Sequence, residues 1–238
     1  MDEIRSLTVQ QVRIYAPGIV PLLALRSAPG IAILRKKFGF QEMAINPTAG
    51  DVTFVSGLVV PENGDLVAIN FLEIGAQKTA WEILGSSSTA NALNDLFVKL
   101  ITELSPEMEH AEPLLFTQVT QCTVRLAISW KELISEKLAS AIEEVRHRFD
   151  LPVASTRVAG MNLNFTIQYD VSDLRIKEWG IGVLDKNVTL NPVPSVPFSE
   201  RLFNTSSPLD SDAHLQLVQD LETALAENQG RRATVRRR

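Results

Sequence analysis

The residues best suited to chemistry gather in two short stretches. One is SSPLDSDAHLQLV, residues 206–218, which contains Ser206, Ser207, Asp210, Ser211, Asp212 and His214. The other is SPEMEHAEP, residues 105–113, which contains Glu107, Glu109, His110 and Glu112. Carboxylates and imidazoles are the donors of divalent-metal sites and also serve as general acids and bases. Asp210 and His214 stand one helical turn apart, so together they make half a metal site. Acids of the 107–112 segment would have to complete it. That combination defines one candidate function, a metal-assisted hydrolase or nuclease using His214, Asp210, Glu107, Glu109 and His110.

Local structure accounts for the same residues more simply. With Ser207 at the N-cap, Pro208 falls at the first helical position, where its missing N–H costs nothing, and Asp210 falls at the third. Such an S-x-x-D arrangement satisfies free N–H groups and complements the positive end of the helix dipole. Leu209, Ala213, Leu217, Leu221 and Leu225 then recur every four residues, predicting a helix over 208–227 with that line inward. The 107–112 segment follows a helix end and lies between two prolines, the setting of a solvated acidic loop. On this reading no catalytic residue, metal ligand or cofactor is assigned.

Nothing else in the chain supplies a linear catalytic signature. There is no C-x-x-C, H-E-x-x-H, G-x-S-x-G, phosphate-loop or complete G-x-G-x-x-G pattern. Cys122 is the sole cysteine, so no internal disulfide forms, and a reducing, cytoplasmic setting is expected. Its apolar strand neighbours suit an inert buried thiol better than a nucleophile.

The elements that must position these groups follow from periodicity. STANALNDLFVKLITELS predicts a helix over 89–104, and SWKEL opens a second over 130–149 with a capping box at Ser129 and Glu132. DVTFVSGLVV and DLVAINFLEIG flank the turn residues PENG and read as a hairpin over 51–75. KTAWEILG and the 114–129 stretch read as strands. NLNFTIQYDV and LRIKEWGIGVL, separated by Ser172–Asp173, read as a second hairpin, with KNVTLNP following. The proline-rich 191–200 stretch reads as a connector. Tyr15–Leu34 is ambiguous between irregular strand and loop, and its prolines and Arg26 break any membrane-spanning run.

These elements predict an α+β fold in which antiparallel or mixed sheets are covered by amphipathic helices. Both halves run hairpin, strand, serine-rich loop, helix, and residues 92–104 align without gaps to 213–225 at an offset of 121. A pseudo-repeat is therefore expected, with halves at 1–112 and 113–230 and a basic, disordered tail at 231–238. In that tail Arg231, Arg232, Arg236, Arg237 and Arg238 offset an otherwise acidic chain of net charge −5. The acidic body disfavours nucleic acid, leaving the tail as its one expected contact and, with the proline-rich connector, a contact for a partner. The expected function is a non-catalytic cytoplasmic interaction protein, a subunit or adaptor engaging a protein partner or a second copy, without membrane insertion.

Overall fold

A computed structural model of the chain describes residues 1–16, 22–61, 64–104, 112–127, 163–170, 183–194, 196 and 200–235. Its strands are β1 (Glu3–Ile14), β2 (Glu42–Ile45), β3 (Val52–Val59), β4 (Val67–Ile74), β5 (Lys78–Leu84), β6 (Leu115–Arg125), β7 (Leu163–Asp170), β8 (Val183–Pro192) and β9 (Leu202–Ser207). Its helices are α1 (Leu22–Leu25), α2 (Ala28–Phe38), α3 (Ser87–Leu104) and α4 (Ser211–Val235). All nine strands join one antiparallel sheet in the order β2-β3-β4-β5-β1-β6-β9-β8-β7. The architecture is α+β. Among the described residues, no helix is long and apolar enough to cross a membrane.

Strand alternation decides which face is covered. Val52, Phe54, Leu72, Ile74, Trp81 and Ile83 share one face and are all buried. Phe38 of α2 and Phe97 of α3 meet the Trp81 ring edge-on, with centroids 5.3 and 5.2 Å away. Cys122, Val124, Leu190, Phe203 and Val218 of α4 form a second, smaller cluster on the same face. The described helices thus pack on one side of the sheet. Gly57 and Gly39 mark close approaches there, since a Cβ would lie 2.6 Å from the Phe40 ring at Gly57 and 2.5 Å from the Leu58 carbonyl at Gly39.

Several elements differ from the sequence expectation. β1, which sits at the centre of the sheet, went unread. Gln11 and Arg13 occupy its buried positions, so the apolar alternation that signals a strand is broken. The ambiguous 15–34 stretch contains α1 and the start of α2. Ser27 caps α2, accepting a hydrogen bond from the Gly30 N–H, and Pro29 sits in the first turn, where proline is tolerated. Gly39 ends α2 in the left-handed conformation, φ 63°. β7 pairs with β8, from Leu163↔Leu190 to Asp170↔Val183, and not across a two-residue turn. The expected helix over 130–149 lies outside the described residues.

The last helix also needs correcting. Ser207 is the final residue of β9, and α4 begins at Ser211 and continues past residue 227 to Val235. Asp210 is the N-cap, its Oδ1 accepting from the Ala213 N–H at 2.8 Å while its carbonyl accepts from the His214 N–H. Fully buried positions run Ser211, His214, Val218 and Glu222, with Ala213, Leu217 and Leu221 only half-buried beside them. Polar residues therefore hold the deepest line of this helix.

Candidate functional site

His214 is 1% exposed and its ring lies against β9. Nε2 is 2.8 Å from Thr205 Oγ1, and Nδ1 is 2.7 Å from Ser207 Oγ. Thr205 Oγ1 also donates to the Cys122 carbonyl at 3.2 Å, and the Leu209 N–H donates to Ser207 Oγ at 3.4 Å. These contacts assign one consistent proton arrangement. Thr205 spends its proton on Cys122, so it accepts from the Nε2–H of a neutral imidazole, and the Ser207 hydroxyl donates to Nδ1. Thr205, Ser207 and His214 project towards one another because alternate residues of β9 share a face and α4 turns back over it. Burial holds the His214 pKa down at about 4, through desolvation of the charged form.

A serine hydroxyl hydrogen-bonded to a histidine is also the arrangement of an activated nucleophile. Access decides against that chemistry here. Ser207 is 0% exposed, so no substrate carbonyl reaches its hydroxyl. Nε2 carries the ring proton and the Nδ1 lone pair accepts from Ser207, which leaves no lone pair for a metal. Asp210 spends its carboxylate on the helix start. Cys122, buried one strand away, has its thiol pushed up to about 11 by desolvation.

The remaining candidates fall elsewhere. Glu107, Glu109 and His110 lie outside the described residues, as do Arg236, Arg237 and Arg238. Arg231 and Arg232 are on the backbone of α4. Among the described residues, no group of three or more His, Cys, Asp or Glu side chains is placed to hold a metal ion.

Next to His214 the two long helices meet head to head. The Ser87 N–H donates to Ser211 Oγ at 3.1 Å, and the Ser211 N–H donates to Ser87 Oγ at 2.8 Å. Each helix start thereby supplies the acceptor that the other lacks. The Leu209 carbonyl, accepting from Thr120 Oγ1 at 2.7 Å, secures the same junction from the strand side.

The opposite face of the sheet has a different chemistry. In the β3–β5 half, Leu58 pairs with Ala68 and Ala68 with Leu84, while Val60 and Leu66 continue the same rows. Leu58, Val60, Leu66 and Leu84 are 47%, 61%, 64% and 47% exposed, a concentration of apolar surface at one corner. Leu66 and Leu84 also line a groove of about 620 Å³ that reaches Ser88, Ala92 and Leu96 of α3. In the β6–β9 half, Thr8, Gln121, Thr123, Thr189, Asn204 and Ser206 line a concavity of about 390 Å³. Thr123 Oγ1 donates to Asn204 Oδ1 at 2.9 Å, and Thr189 and Ser206 are hydroxyl to hydroxyl at 2.9 Å. Among the described residues of this face, Lys78 pairs with Glu73 at 2.5 Å and Arg125 with Glu3 at 3.3 Å, while Glu82 accepts from the Asn70 amide at 2.8 Å.

Sequence reasoning found Asp210 and His214 but missed Thr205 and Ser207 as their setting, because LFNTSS carries no apolar alternation. The apolar corner was within reach of the sequence. Leu58 and Val60 alternate with buried Gly57 and Val59, so both faces of that strand end are hydrophobic. No protein-family model matches the chain, and comparison with curated proteins finds no relative.

Proposed function

We propose that this protein is a non-catalytic interaction module, a subunit or adaptor that binds through the open face of its sheet. The observation that carries this reading is the exposed corner of Leu58, Val60, Leu66 and Leu84, set beside a groove whose lining includes Asp65, Ser88, Thr89 and Lys99. An apolar centre with a polar rim is the composition of a protein–protein contact. The buried His214 cluster serves in this reading as a structural lock between β9 and α4. A cytoplasmic setting accords with the single reduced cysteine.

The test is crosslinking in a lysate of the source cells, followed by mass spectrometry, with the native chain and Leu58→Glu compared. Crosslinked proteins should be lost with the variant while its circular dichroism stays native. An unchanged set of crosslinked proteins would sink the assignment of this face.

We also infer that the two halves descend from a duplication. In its favour, each half places its first strand at the centre of the sheet and pairs it with its last, β1 with β5 and β6 with β9. The capping positions Ser86 and Asp210 are 124 residues apart, and so are Ser87 and Ser211. The cap-to-cap offset exceeds the 121 of the gapless helix alignment by three residues. An experimental structure in which β1–α3 and β6–α4 superpose poorly overturns the inference.

A further inference from the structure

We propose that Arg13 is the floor of a small-molecule site on the helix side of the sheet, which takes the carboxylate of an organic acid with an apolar body. The interaction face lies on the other side of the sheet, so the two readings stand or fall separately. Three observations carry the site. The first is a buried cation with a free donor. Arg13 is 8% exposed; its Nη2 donates to Gln11 Oε1 at 3.0 Å and its guanidinium stands 4.8 Å from the Phe116 ring centre, but Nη1 has no hydrogen-bond partner. Both contacts are to uncharged groups. Asp95, on the exposed side of α3, acts on Arg13 only at longer range, and burial lowers the Arg13 pKa despite it. Thr79 Oγ1, Trp81 Nε1 and Asn94 Oδ1 are likewise buried and unpartnered. Thr79 faces Arg13 across the β1–β5 ladder, Trp81 stands in the next row opposite Gln11, and Asn94 lies on the α3 flank whose Asn91 bonds to Gln11. The Tyr15 phenol is near Thr79 without completing a hydrogen bond of ordinary geometry. Buried polar groups almost always find partners, so four orphans in one place point to a ligand that supplies them.

The second observation is the other half of the sheet. Val124 faces Phe203 across the β6–β9 ladder as Arg13 faces Thr79 across β1–β5, with Thr79 and Phe203 each eight residues before the paired serines Ser87 and Ser211. Asn94 and Val218 each come seven residues after those serines. Val124, Phe203 and Val218 are buried in one apolar cluster. The architecture therefore closes with apolar side chains at these positions, and nothing in it calls for a guanidinium. The third is the surroundings of the free donor. Phe116, opposite Arg13 on β6, is 47% exposed, and Val98, one turn past Asn94 on the same flank of α3, is 37% exposed. Apolar surface above a buried cation suits a molecule with a charged end and an apolar body. No other cation stands in the rows of Gln11 and Arg13, so one negative charge is matched, and a phosphate dianion would bring a second without compensation. In the complex Arg13 Nη1 and the Thr79 hydroxyl donate to the carboxylate.

Calorimetric titration of the purified full chain with sodium hexanoate tests the proposal. The native protein should bind hexanoate saturably, with a Kd below about 1 mM, and hexan-1-ol at least about tenfold more weakly. Inorganic phosphate at the same concentration should not displace hexanoate. Arg13→Met should weaken hexanoate binding about ten- to a hundredfold, and Thr79→Val, of nearly the same shape, should weaken it about threefold or more. Lys36→Gln, which removes a positive charge from the exposed side of α2, should leave binding unchanged. Because Arg13→Met exchanges an unpaired buried charge for an apolar side chain, its urea midpoint should equal or exceed that of the native protein. A native protein that fails to bind hexanoate, binds hexan-1-ol as tightly, or gives hexanoate up to phosphate overturns the proposal. So does hexanoate binding by Arg13→Met at native affinity, or a loss with Lys36→Gln as large as with Arg13→Met. An Arg13→Met midpoint below the native one also overturns it, since the guanidinium would then be a structural group.

Discussion

Replacing His214 tests the arrangement of the β9–α4 junction most directly. The imidazole is neutral in the folded protein, with its pKa held down at about 4, and it returns to the ordinary 6.5 when the chain unfolds. Protonation therefore favours the unfolded state. The stabilisation is complete above pH 6.5 and declines as pH falls through the interval down to 4, below which nothing more is lost. From those two values the linkage loss is ~2 kcal/mol at pH 5 and ~3 kcal/mol at pH 4. Carboxylates titrate in the same range, so the informative quantity is the difference between the native protein and His214→Gln. The glutamine amide retains hydrogen-bonding capacity towards Thr205 and Ser207 but does not titrate. Urea unfolding at pH 7.5, 5 and 4 should show the native protein losing ~2–3 kcal/mol more than the variant on acidification. Equal losses would refute the assignment of a neutral, desolvated imidazole. So would a His214 ring that titrates near 6.5 by NMR in the folded protein.

Two further predictions concern the same region. Ser87→Ala leaves the buried Ser211 N–H without an acceptor and should cost about 1–3 kcal/mol in denaturant unfolding. A change below a few tenths would show that the helix starts do not depend on one another. Cys122 should resist a disulfide reagent at pH 8 in the folded protein and react at once in urea, because burial pushes its thiol up to about 11; rapid native labelling would contradict that burial.

Much of the fold was legible where a single face is buried. β3, β4 and β5 carry apolar residues on alternate positions, and α3 repeats Leu93, Leu96, Phe97, Leu100 and Ile101 at helical spacing, all of them buried. β1 was not legible, because Gln11 and Arg13 occupy inward positions through partners far along the chain. Gln11 bonds to Asn91 and Gln118, and Arg13 lies 4.8 Å from the centre of the Phe116 ring. A sequence window contains none of those partners. β9 was hidden for the same reason, since Thr205 and Ser207 are inward-facing only because His214 comes round to meet them. His214 was thus a candidate on residue type alone, and its surroundings turn it from a prospective ligand into a core residue.

The position of β1 bears on the order of events during synthesis. Its ladder to β5 closes residues about 70 apart, whereas its ladder to β6 closes residues about 110 apart. The first five strands and α3 are all made before β6 leaves the ribosome. Until then β1 is an edge strand, with a row of free N–H and C=O groups along its second side. The four charged residues Asp2, Glu3, Arg5 and Arg13 lie on or beside it. Charge along an edge is how chains discourage unwanted pairing. In the finished protein Glu3 and Arg125 are joined across the β1–β6 ladder, so a residue that guards the waiting edge helps to seal it once its proper partner arrives.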